Sequence, residues 1–132
     1  MGRLDGKVAI VTGAGRIGNI GLAICEAFLR EGARAVIGTD FRTEAIRARV
    51  AAQAGGDRFR LLQQDVTSEP DWQRVLQSVL DEFGGLDVLV NNAGISVHGG
   101  IETTALDELR KAMAVNHDGL FLGMKTCAPA LA

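Results

Sequence analysis

The chain has 132 residues, of which 47% are hydrophobic and 23% charged, and its formal net charge is −2. This length is enough for one domain that buries roughly two-thirds of its unfolded surface, and the composition is typical of a globular α/β protein rather than a disordered or fibrous one. A weakly acidic chain offers no basic face for nucleic acid, and no apolar run reaches the length of a signal peptide or a membrane span. We therefore expect a cytoplasmic protein with neither nucleic-acid nor membrane partners.

Short apolar runs alternate with amphipathic stretches along the chain. The runs that fit buried strands are Val8 to Val11, Ala35 to Ile37, Phe59 to Leu62 and Val88 to Val90. They begin roughly 25 to 30 residues apart, a spacing typical of βαβ units with right-handed crossovers. This pattern predicts an α/β fold with a doubly wound parallel sheet, the Rossmann fold, and the strand order 3-2-1-4. Ligands of such sheets bind at the carboxyl ends of the strands, where the order reverses.

The stretches between these runs predict helices with one apolar face. The first helix would present Ile20, Ile24, Ala27 and Phe28. A later helix would begin at the capping pair of Ser68 and Asp71. Its apolar face would carry Trp72, Val75, Leu76, Val79, Leu80 and Phe83.

The two cysteines, Cys25 and Cys127, both fall within helical patterns. Neither belongs to a CxxC motif or has a histidine close by in the sequence, so a metal or redox site lacks support. We expect both to be small hydrophobic core residues, and we predict no metal site.

A glycine-rich turn from Thr12 to Gly21 follows the first strand directly and opens the first helix. Glycines such as Gly13 and Gly15 let the backbone adopt positive φ and approach a ligand closely, while the helix N-terminus adds about half a positive charge. Tight turns alone also use glycine, but the order of strand, turn and helix favours a binding site for the pyrophosphate of a dinucleotide.

Asp40 ends the second predicted strand, where a carboxylate can accept hydrogen bonds from the adenosine ribose hydroxyls. A 2′-phosphate about 4 Å away would be repelled by several kcal/mol at an effective dielectric near 20, which favours NAD over NADP. Arg16 and Arg42 weigh against this interpretation, because either could turn toward such a phosphate. The alternative for Asp40 is an ordinary helix cap or turn residue.

Two further motifs close the third and fourth predicted strands, Asp65-Val66 and the run from Val90 to Gly94. With the glycine turn and Asp40, they make the chain resemble the short-chain dehydrogenase/reductase family from Lys7 to about Leu131. The resemblance implies that Asp65 and Val66 contact adenine, and that the run after the fourth strand steadies the sheet and approaches the cofactor. The implied cofactor contacts are Gly13, Gly15, Arg16, Asn19, Ile20, Asp40, Phe41, Asp65, Val66, Asn92, Ala93, Gly94 and Val115.

The glycine turn departs from the usual family pattern, because two extra residues separate Gly13 from Ile20-Gly21. Its length is similar to that of the turn in enoyl-acyl-carrier-protein reductases, with Asn19 where that branch places a serine. The resemblance then makes Asn19 and Ile20, rather than Gly18, the expected pyrophosphate contacts. The run after the fourth strand resembles ordinary family members instead.

A long helix is predicted from Leu106 onward, with further apolar positions at Leu109, Met113, Leu120 and Met124. Asn116, inside this helix, matches the catalytic asparagine of the family. The resemblance implies that it bends the helix and holds a water of the proton relay, alongside a serine and a Tyr-x-x-x-Lys motif. A polar residue within a helix is the alternative.

The chain contains no tyrosine, so the family's catalytic acid is missing from these residues. His98 and His117 could transfer protons in principle, but neither has an evident carboxylate partner and we expect both to lie on the surface or in loops. Ser96 and His98 are candidate substrate contacts. The catalytic serine, tyrosine and lysine of the family would then lie beyond this chain.

These features predict a single NAD(P)-binding Rossmann domain over residues 1–132, ending before its fifth strand and forming part of a longer, homo-oligomeric enzyme. The expected reaction is hydride transfer between the nicotinamide of NAD and a small alcohol or carbonyl substrate. A dinucleotide-binding module without catalysis is the alternative if the chain is complete. A relative of enoyl reductases is a weaker one, suggested by the length of the turn alone.

Overall fold

The computed structural model describes residues 2–47 and 56–132. The strands are β1 (Val8–Thr12), β2 (Ala35–Asp40), β3 (Phe59–Gln63) and β4 (Val88–Val90). The helices are α1 (Ile20–Arg30), α2 (Glu69–Phe83), α3 (Leu106–Met113) and α4 (Gly119–Leu131). A 3-10 turn, Gly56–Arg58, precedes β3, and a π-helical turn, Ala114–Asp118, joins α3 to α4.

The four strands form one parallel sheet in the order β3-β2-β1-β4, which confirms the predicted fold and strand order. β2 continues past its apolar run through Gly38 and Thr39, and it ends at Asp40 as predicted. β3 ends at Gln63, so the Asp65-Val66 motif lies just past the strand rather than within its end. The predicted bounds of β4 are those observed.

Each face of the sheet is covered by its own hydrophobic cluster. On one face, Leu22, Cys25 and Leu29 of α1 pack against Val11 and Val36. On the other face, α2 and α4 supply four core residues, Trp72, Val75, Val79 and Cys127. Both cysteines are buried, as predicted, and burial raises the pKa of Cys25 to about 12 and that of Cys127 to about 11.

The apolar face of α1 is confirmed in part, and that of the α3-α4 helix differs from the sequence prediction. In α1, Ile24 and Phe28 pack against the core as predicted, whereas Ile20 is 73% exposed. The fully buried residues of α1 include Leu22 and Cys25. The predicted apolar positions of α3 and α4 are between 40% and 59% exposed: Leu106, Leu109, Met113, Leu120 and Met124. The smallest residues of α4 face the core instead, because only they allow the helix to approach α2.

Two glycines of α4 explain this inversion. A β-carbon at Gly123 would stand 2.7 Å from the Trp72 ring, and one at Gly119 would stand 2.9 Å from the Val66 side chain. Both distances are shorter than ordinary van der Waals contact. The close approach of α4 to the rest of the fold therefore requires glycine at both positions, which a pattern based on hydrophobicity does not reveal.

Helix α2 has well-defined ends. Ser68 Oγ accepts a hydrogen bond from the N–H of Asp71 at 3.2 Å, which confirms half of the predicted capping pair. The Asp71 carboxylate bonds to the N–H of Asp65 instead of to Ser68, at 2.8 Å. The helix stops at Gly84, whose φ of 79° lies in the left-handed region. The N-terminus of α2 is thus tied to the loop that follows β3.

Candidate cofactor site

The glycine turn is joined to the end of β4 by Asn92. Its Nδ2 donates hydrogen bonds to the carbonyl oxygens of Thr12, at 3.0 Å, and Gly13, at 3.3 Å. Gly13 has a φ of 72°, and a β-carbon there would stand 2.8 Å from this same amide nitrogen. The Asn92 side chain therefore steadies the sheet at its switch point, and its contact with a cofactor stays a prediction.

Thr12 is a structural residue of this site that the sequence analysis named only as part of the turn. Its Oγ1 accepts hydrogen bonds from the N–H groups of Asn92, at 3.1 Å, and Ala93, at 3.0 Å. The sequence signal that could have indicated this role is a threonine at the end of an apolar strand, because a hydroxyl that is buried there needs a hydrogen-bond partner. The backbone after β4 is consequently held against β1.

Asn19 closes the other end of the turn. Its Nδ2 donates to the Gly13 carbonyl at 2.9 Å, and its Oδ1 accepts from the N–H of Leu22 at 2.9 Å. Asn19 is thus the N-cap of α1, and Ile20 is the first helical residue. The first N–H groups of a helix have no acceptor within it, so this end of α1 can bind an anion. Whether Asn19 and Ile20 contact a pyrophosphate stays a prediction.

Asp40 lies beside the turn, at the end of β2. One carboxylate oxygen, Oδ2, accepts a hydrogen bond of 2.8 Å from the N–H of Gly15. Arg16 and Arg42 are both exposed, and the Phe41 side chain, which follows Asp40, is 61% exposed. The predicted ribose acceptor, the two arginines and an accessible aromatic ring therefore all belong to this edge of the crevice.

Asp65 is held in a similar way at the end of β3. Its Oδ1 accepts hydrogen bonds from the N–H and the hydroxyl of Thr67, at 2.9 and 2.6 Å. The next residue, Val66, accepts a 2.9 Å hydrogen bond at its carbonyl from Trp72 Nε1. The side chain of Val66 lines a small recess in the floor of the crevice, with Thr12, Asn91, Ala93, Val115, Gly119 and Leu120. The structure thus brings Val66, Ala93 and Val115 together.

A buried hydrogen-bonded pair of side chains between the ends of β2 and β3 was not predicted from the sequence. The Thr39 hydroxyl donates to Gln64 Oε1 at 2.7 Å, and both side chains are buried. Gln64 Nε2 has no hydrogen-bond partner among the described residues. Because each residue precedes an aspartate of the site, Asp40 or Asp65, the pair supports the ends of both strands.

Asn116 lies in the π-helical turn between α3 and α4. Its Oδ1 accepts from the N–H of Ile95 and its Nδ2 donates to the Ile95 carbonyl, both at 2.8 Å. A β-carbon at Gly94 would stand 3.3 Å from the same Oδ1. The Asn116 side chain therefore clamps the loop after β4. The π-helical turn is a local change of helix geometry at the residue where a bend was expected, and the role of Asn116 in holding a water stays a prediction.

The candidate substrate contacts and the two histidines lie outside this clamp. Ser96 and His98 are exposed in the loop after β4, and a contact of either with substrate stays a prediction. His117 is also exposed, but its Nδ1 lies 3.0 Å from Asp118 Oδ1, so the expectation that it lacks a carboxylate partner was wrong. The adjacent position of the carboxylate in the sequence could have indicated this contact.

Comparison with known proteins gives a consistent result. The short chain dehydrogenase family matches residues 7–132. The NADP-dependent (R)-specific alcohol dehydrogenase of Lentilactobacillus kefiri is 43% identical over 124 residues, which are 93% of this chain and 48% of that protein. The 2,5-dichloro-2,5-cyclohexadiene-1,4-diol dehydrogenase LinX of Sphingobium indicum is 39% identical over 131 residues, 98% of this chain and 51% of that protein. The chain belongs to the short-chain dehydrogenase/reductase family.

The fold of this short-chain dehydrogenase/reductase agrees with solved structures. A short-chain dehydrogenase/reductase from Brucella melitensis superposes with a TM-score of 0.89 at 30% identity, over 99% of this chain and 54% of that one. The chain spans about half the length of the curated relatives it matches. The named relatives are dehydrogenases, and one of them uses NADP, so family membership does not decide between NAD and NADP.

In residues 2–47 and 56–132, no group of three or more histidine, cysteine, aspartate or glutamate side chains could hold a metal ion. Over the same residues, no helix is long and apolar enough to cross a membrane.

Proposed function

We propose that this short-chain dehydrogenase/reductase is an NAD-dependent oxidoreductase and that residues 1–132 form its dinucleotide-binding domain. The observation that carries the proposal is the arrangement at the carboxyl ends of β1 and β2. There the N-terminus of α1 can accept a pyrophosphate, and Asp40 can accept hydrogen bonds from the adenosine ribose. The substrate would be a small alcohol or carbonyl compound, the class on which the family acts.

The residues around the crevice fit a dinucleotide. Ile20 and Gly21 would offer the first N–H groups of α1 to the pyrophosphate, and the short side chain of Ala93 lines the recess. Asp65 keeps its second carboxylate oxygen for the adenine amino group, since its first is bonded to Thr67. When bound, the nicotinamide ring would accept or give the hydride, and the protein would orient it.

NAD is the preferred cofactor in this proposal. Asp40 is anchored by Gly15, so its negative charge cannot move away easily from a 2′-phosphate. At about 4 Å and an effective dielectric near 20, the repulsion is several kcal/mol. Arg16 and Arg42 are both exposed at this edge and could offset part of it.

Asn116 would act on the reaction by fixing the loop that follows β4. Its two hydrogen bonds to Ile95 keep this loop beside the π-helical turn, close to Gly94. The proton-transfer acid of the family is a tyrosine, and this chain has none. We propose that the serine, tyrosine and lysine of the family pattern are supplied by residues outside this chain.

Titration of the full-length protein with NADH and with NADPH, followed by nucleotide fluorescence, tests the cofactor assignment. We expect NADH to bind at least about tenfold more tightly, given the repulsion at Asp40. Asp40→Asn should narrow the difference, while Arg42→Ala should widen it if the guanidinium attracts the 2′-phosphate. Tighter binding of NADPH by the parent protein would refute the NAD assignment, and absence of binding of either would refute the site.

A dinucleotide-binding module without catalysis is the second candidate, and the lack of tyrosine favours it for residues 1–132 alone. This 132-residue chain should bind NADH without oxidising it in the presence of simple ketones, aldehydes or an enoyl thioester. Turnover by the chain would contradict our claim that a tyrosine is needed. Reduction of an enoyl thioester by the full-length protein would instead favour the weaker alternative, that the protein is a relative of enoyl reductases. That alternative is based on the length of the glycine turn that ends at Asn19.

The full-length protein would also be a homo-oligomer in this proposal. The outward stripe of α3 and α4 carries large apolar side chains that are about half exposed: Leu106, Met113, Phe121 and Met124. Contiguous apolar surface of this kind is typical of an interface. The oligomeric state of the full-length protein, measured by sedimentation, tests this. Met113→Glu should dissociate the oligomer. A parent protein that sediments as a monomer would contradict the proposal.

A further inference from the structure

The two carboxylate oxygens of Asp40 have unequal environments. Oδ2 accepts a hydrogen bond of 2.8 Å from the backbone N–H of Gly15, 25 residues earlier in the chain. Oδ1 has a long contact of 3.5 Å with the N–H of Arg42. One oxygen is therefore committed to the glycine turn, and the other is left for a ligand.

The turn is pressed against the end of β2 at this point. A β-carbon at Gly15 would overlap the carbonyl oxygen of Arg42 and would stand 2.5 Å from the Asp40 β-carbon. The preceding N–H, that of Ala14, donates to the Thr39 carbonyl at 2.9 Å. Two consecutive N–H groups of the turn thus bond to the end of β2 rather than to a ligand, and they fix where the turn leaves the sheet.

The anion-binding groups come after this anchor. Ile20 and Gly21 are the first two residues of α1, and Asn19 ties that end of the turn to Gly13. The position of their N–H groups relative to the sheet depends on both anchors, Asn19 at one end and the bond between Gly15 and Asp40 at the other. Loss of either anchor should disorganise the groups that bind a pyrophosphate.

We propose that Asp40 is a positioning residue for the pyrophosphate-binding turn, in addition to its role as ribose acceptor. The hydrogen bond from Gly15 would hold the turn in its binding shape before any ligand arrives. The proposal rests on the proposed dinucleotide site for the identity of the anion, whereas the contact between Asp40 and Gly15 exists without a ligand. It predicts that residue 40 affects a ligand that has no ribose.

Two variants separate charge from hydrogen bonding. Asp40→Asn and Asp40→Ala both remove the negative charge, but only asparagine keeps an oxygen that can accept from Gly15. We expect full-length Asp40→Ala to bind inorganic pyrophosphate about tenfold more weakly than Asp40→Asn in calorimetric titration. Asp40→Asn should bind it at least as tightly as the parent, because a like charge near the anion has been removed.

A second readout needs no ligand. Hydrogen exchange at the Gly15 amide, resolved by fragmentation mass spectrometry, should be slow in the parent and in Asp40→Asn. It should be about tenfold faster in Asp40→Ala, whose turn lacks the acceptor. Asp65→Ala is the matched control, since it removes the corresponding carboxylate after β3 and should leave exchange at Gly15 unchanged.

Thermal melting of each variant establishes that the sheet is folded. If the parent binds pyrophosphate, equal affinities of Asp40→Asn and Asp40→Ala would overturn the proposal. If the parent does not bind it, equal exchange rates at Gly15 in the two variants would overturn the proposal. The proposed function fails separately, on the absence of NADH binding by the parent.

Discussion

The two ends of the crevice differ in how far their side chains are engaged. At the adenosine end, formed by the turn and the ends of β2 and β3, Asp40 bonds to the backbone of the glycine turn, Asn19 bonds to Gly13 across that turn, and Asp65 bonds to Thr67 within its own loop. At the other end, formed by the loop after β4 and the helices α3 and α4, Asn116 bonds to Ile95, and Asn91 Nδ2 donates to the Leu120 carbonyl at 3.2 Å. Ser96 and His98 beside it are exposed.

The same contrast holds for apolar surface. The apolar residues of α1 and α2 that face the sheet are buried, whereas Met113 and Phe121 are 49% and 55% exposed. Local contacts within the described chain therefore suffice to build the adenosine end. The other end presents surface that is suited to further contacts, which agrees with the chain spanning about half the length of its relatives.

The strongest test of this contrast is to remove a large side chain from the buried contact between α2 and α4. Trp72 is fully buried, packs against Gly123 and donates a hydrogen bond to Val66. Trp72→Ala should lower the free energy of unfolding by about 3–5 kcal/mol. Denaturant titration measures the change, with Leu106→Ala, which is 59% exposed in the parent, as the control.

Leu106→Ala should cost less than about 0.5 kcal/mol in the 132-residue chain, because little of its side chain is removed from water. A loss for Leu106→Ala that approaches that of Trp72→Ala would mean that the helix surface is covered in solution. The contrast between the two ends of the molecule would then be wrong.

Much of the fold could be predicted from the sequence because parallel strands carry a strong local signal. The four apolar runs and the turn between Thr12 and Gly21 gave the strand order, and Asp40 falls at the end of β2 as expected. The faces of α3 and α4 could not be predicted from hydrophobicity. The orientation of α4 is decided by its close approach to Trp72 at Gly123 and to Val66 at Gly119.

The candidate site was predictable as a set of residues but not as a set of contacts. Asn19, Asn92 and Asn116 each stood out by motif position, yet the structure uses their amides to hold backbone segments together. Such partners lie up to 80 residues apart, as with Asn92 and Thr12, so periodicity carries no information about them. The π-helical turn at Asn116 likewise has no signal in hydrophobic spacing.

The next prediction concerns the clamp at the less engaged end. Asn116→Ala removes both hydrogen bonds to Ile95 and should lower the free energy of unfolding by about 1–2 kcal/mol, because the bonds are exposed to solvent. Hydrogen exchange at the Ile95 amide should become faster, and kcat of the full-length enzyme should fall. His98→Ala, in the same loop, should leave exchange at Ile95 unchanged.

Unchanged exchange at Ile95 in Asn116→Ala would show that the clamp does not order the loop. A fall in kcat with normal exchange would instead point to a direct role of Asn116 in proton transfer. The two readouts therefore distinguish positioning of the loop from participation in the chemistry.

The alkylation rates of the two buried thiols measure how easily α1 and α4 open locally. Burial raises the pKa of Cys25, in α1, to about 12 and that of Cys127, in α4, to about 11, so both should resist alkylation at pH 8 in the native state. We expect Cys127 to be labelled about tenfold faster than Cys25 in the 132-residue chain, because α4 has an exposed outer face and opens more easily. Single variants, Cys25→Ala and Cys127→Ala, assign the rates. Faster labelling of Cys25 would reverse the order of stability that we infer for the two ends.

The smallest effect is expected at an exposed ion pair that fastens the end of α1. Arg3 Nη2 lies 2.9 Å from Glu31 Oε1, and the Arg3 N–H also donates to Glu31 Oε2. The hydrogen bond from the Arg3 side chain, followed by that from its backbone, lowers the pKa of Glu31 from 4.5 to about 2. The folded state therefore holds the charged form more strongly than the unfolded state does. The resulting stabilisation is complete above pH 4.5 and is lost as the pH falls toward 2.

Melting temperatures of the parent and of Glu31→Gln should accordingly differ most near pH 5 to 7 and converge at about pH 2. Salt should reduce the difference, because the pair is exposed and screened. Arg3→Ala removes the side-chain bond but keeps the Arg3 N–H, so Glu31→Gln should have a smaller effect in that background, which a double-mutant cycle measures. An undiminished difference in that background would show that the Arg3 side chain does not contribute to the stabilisation.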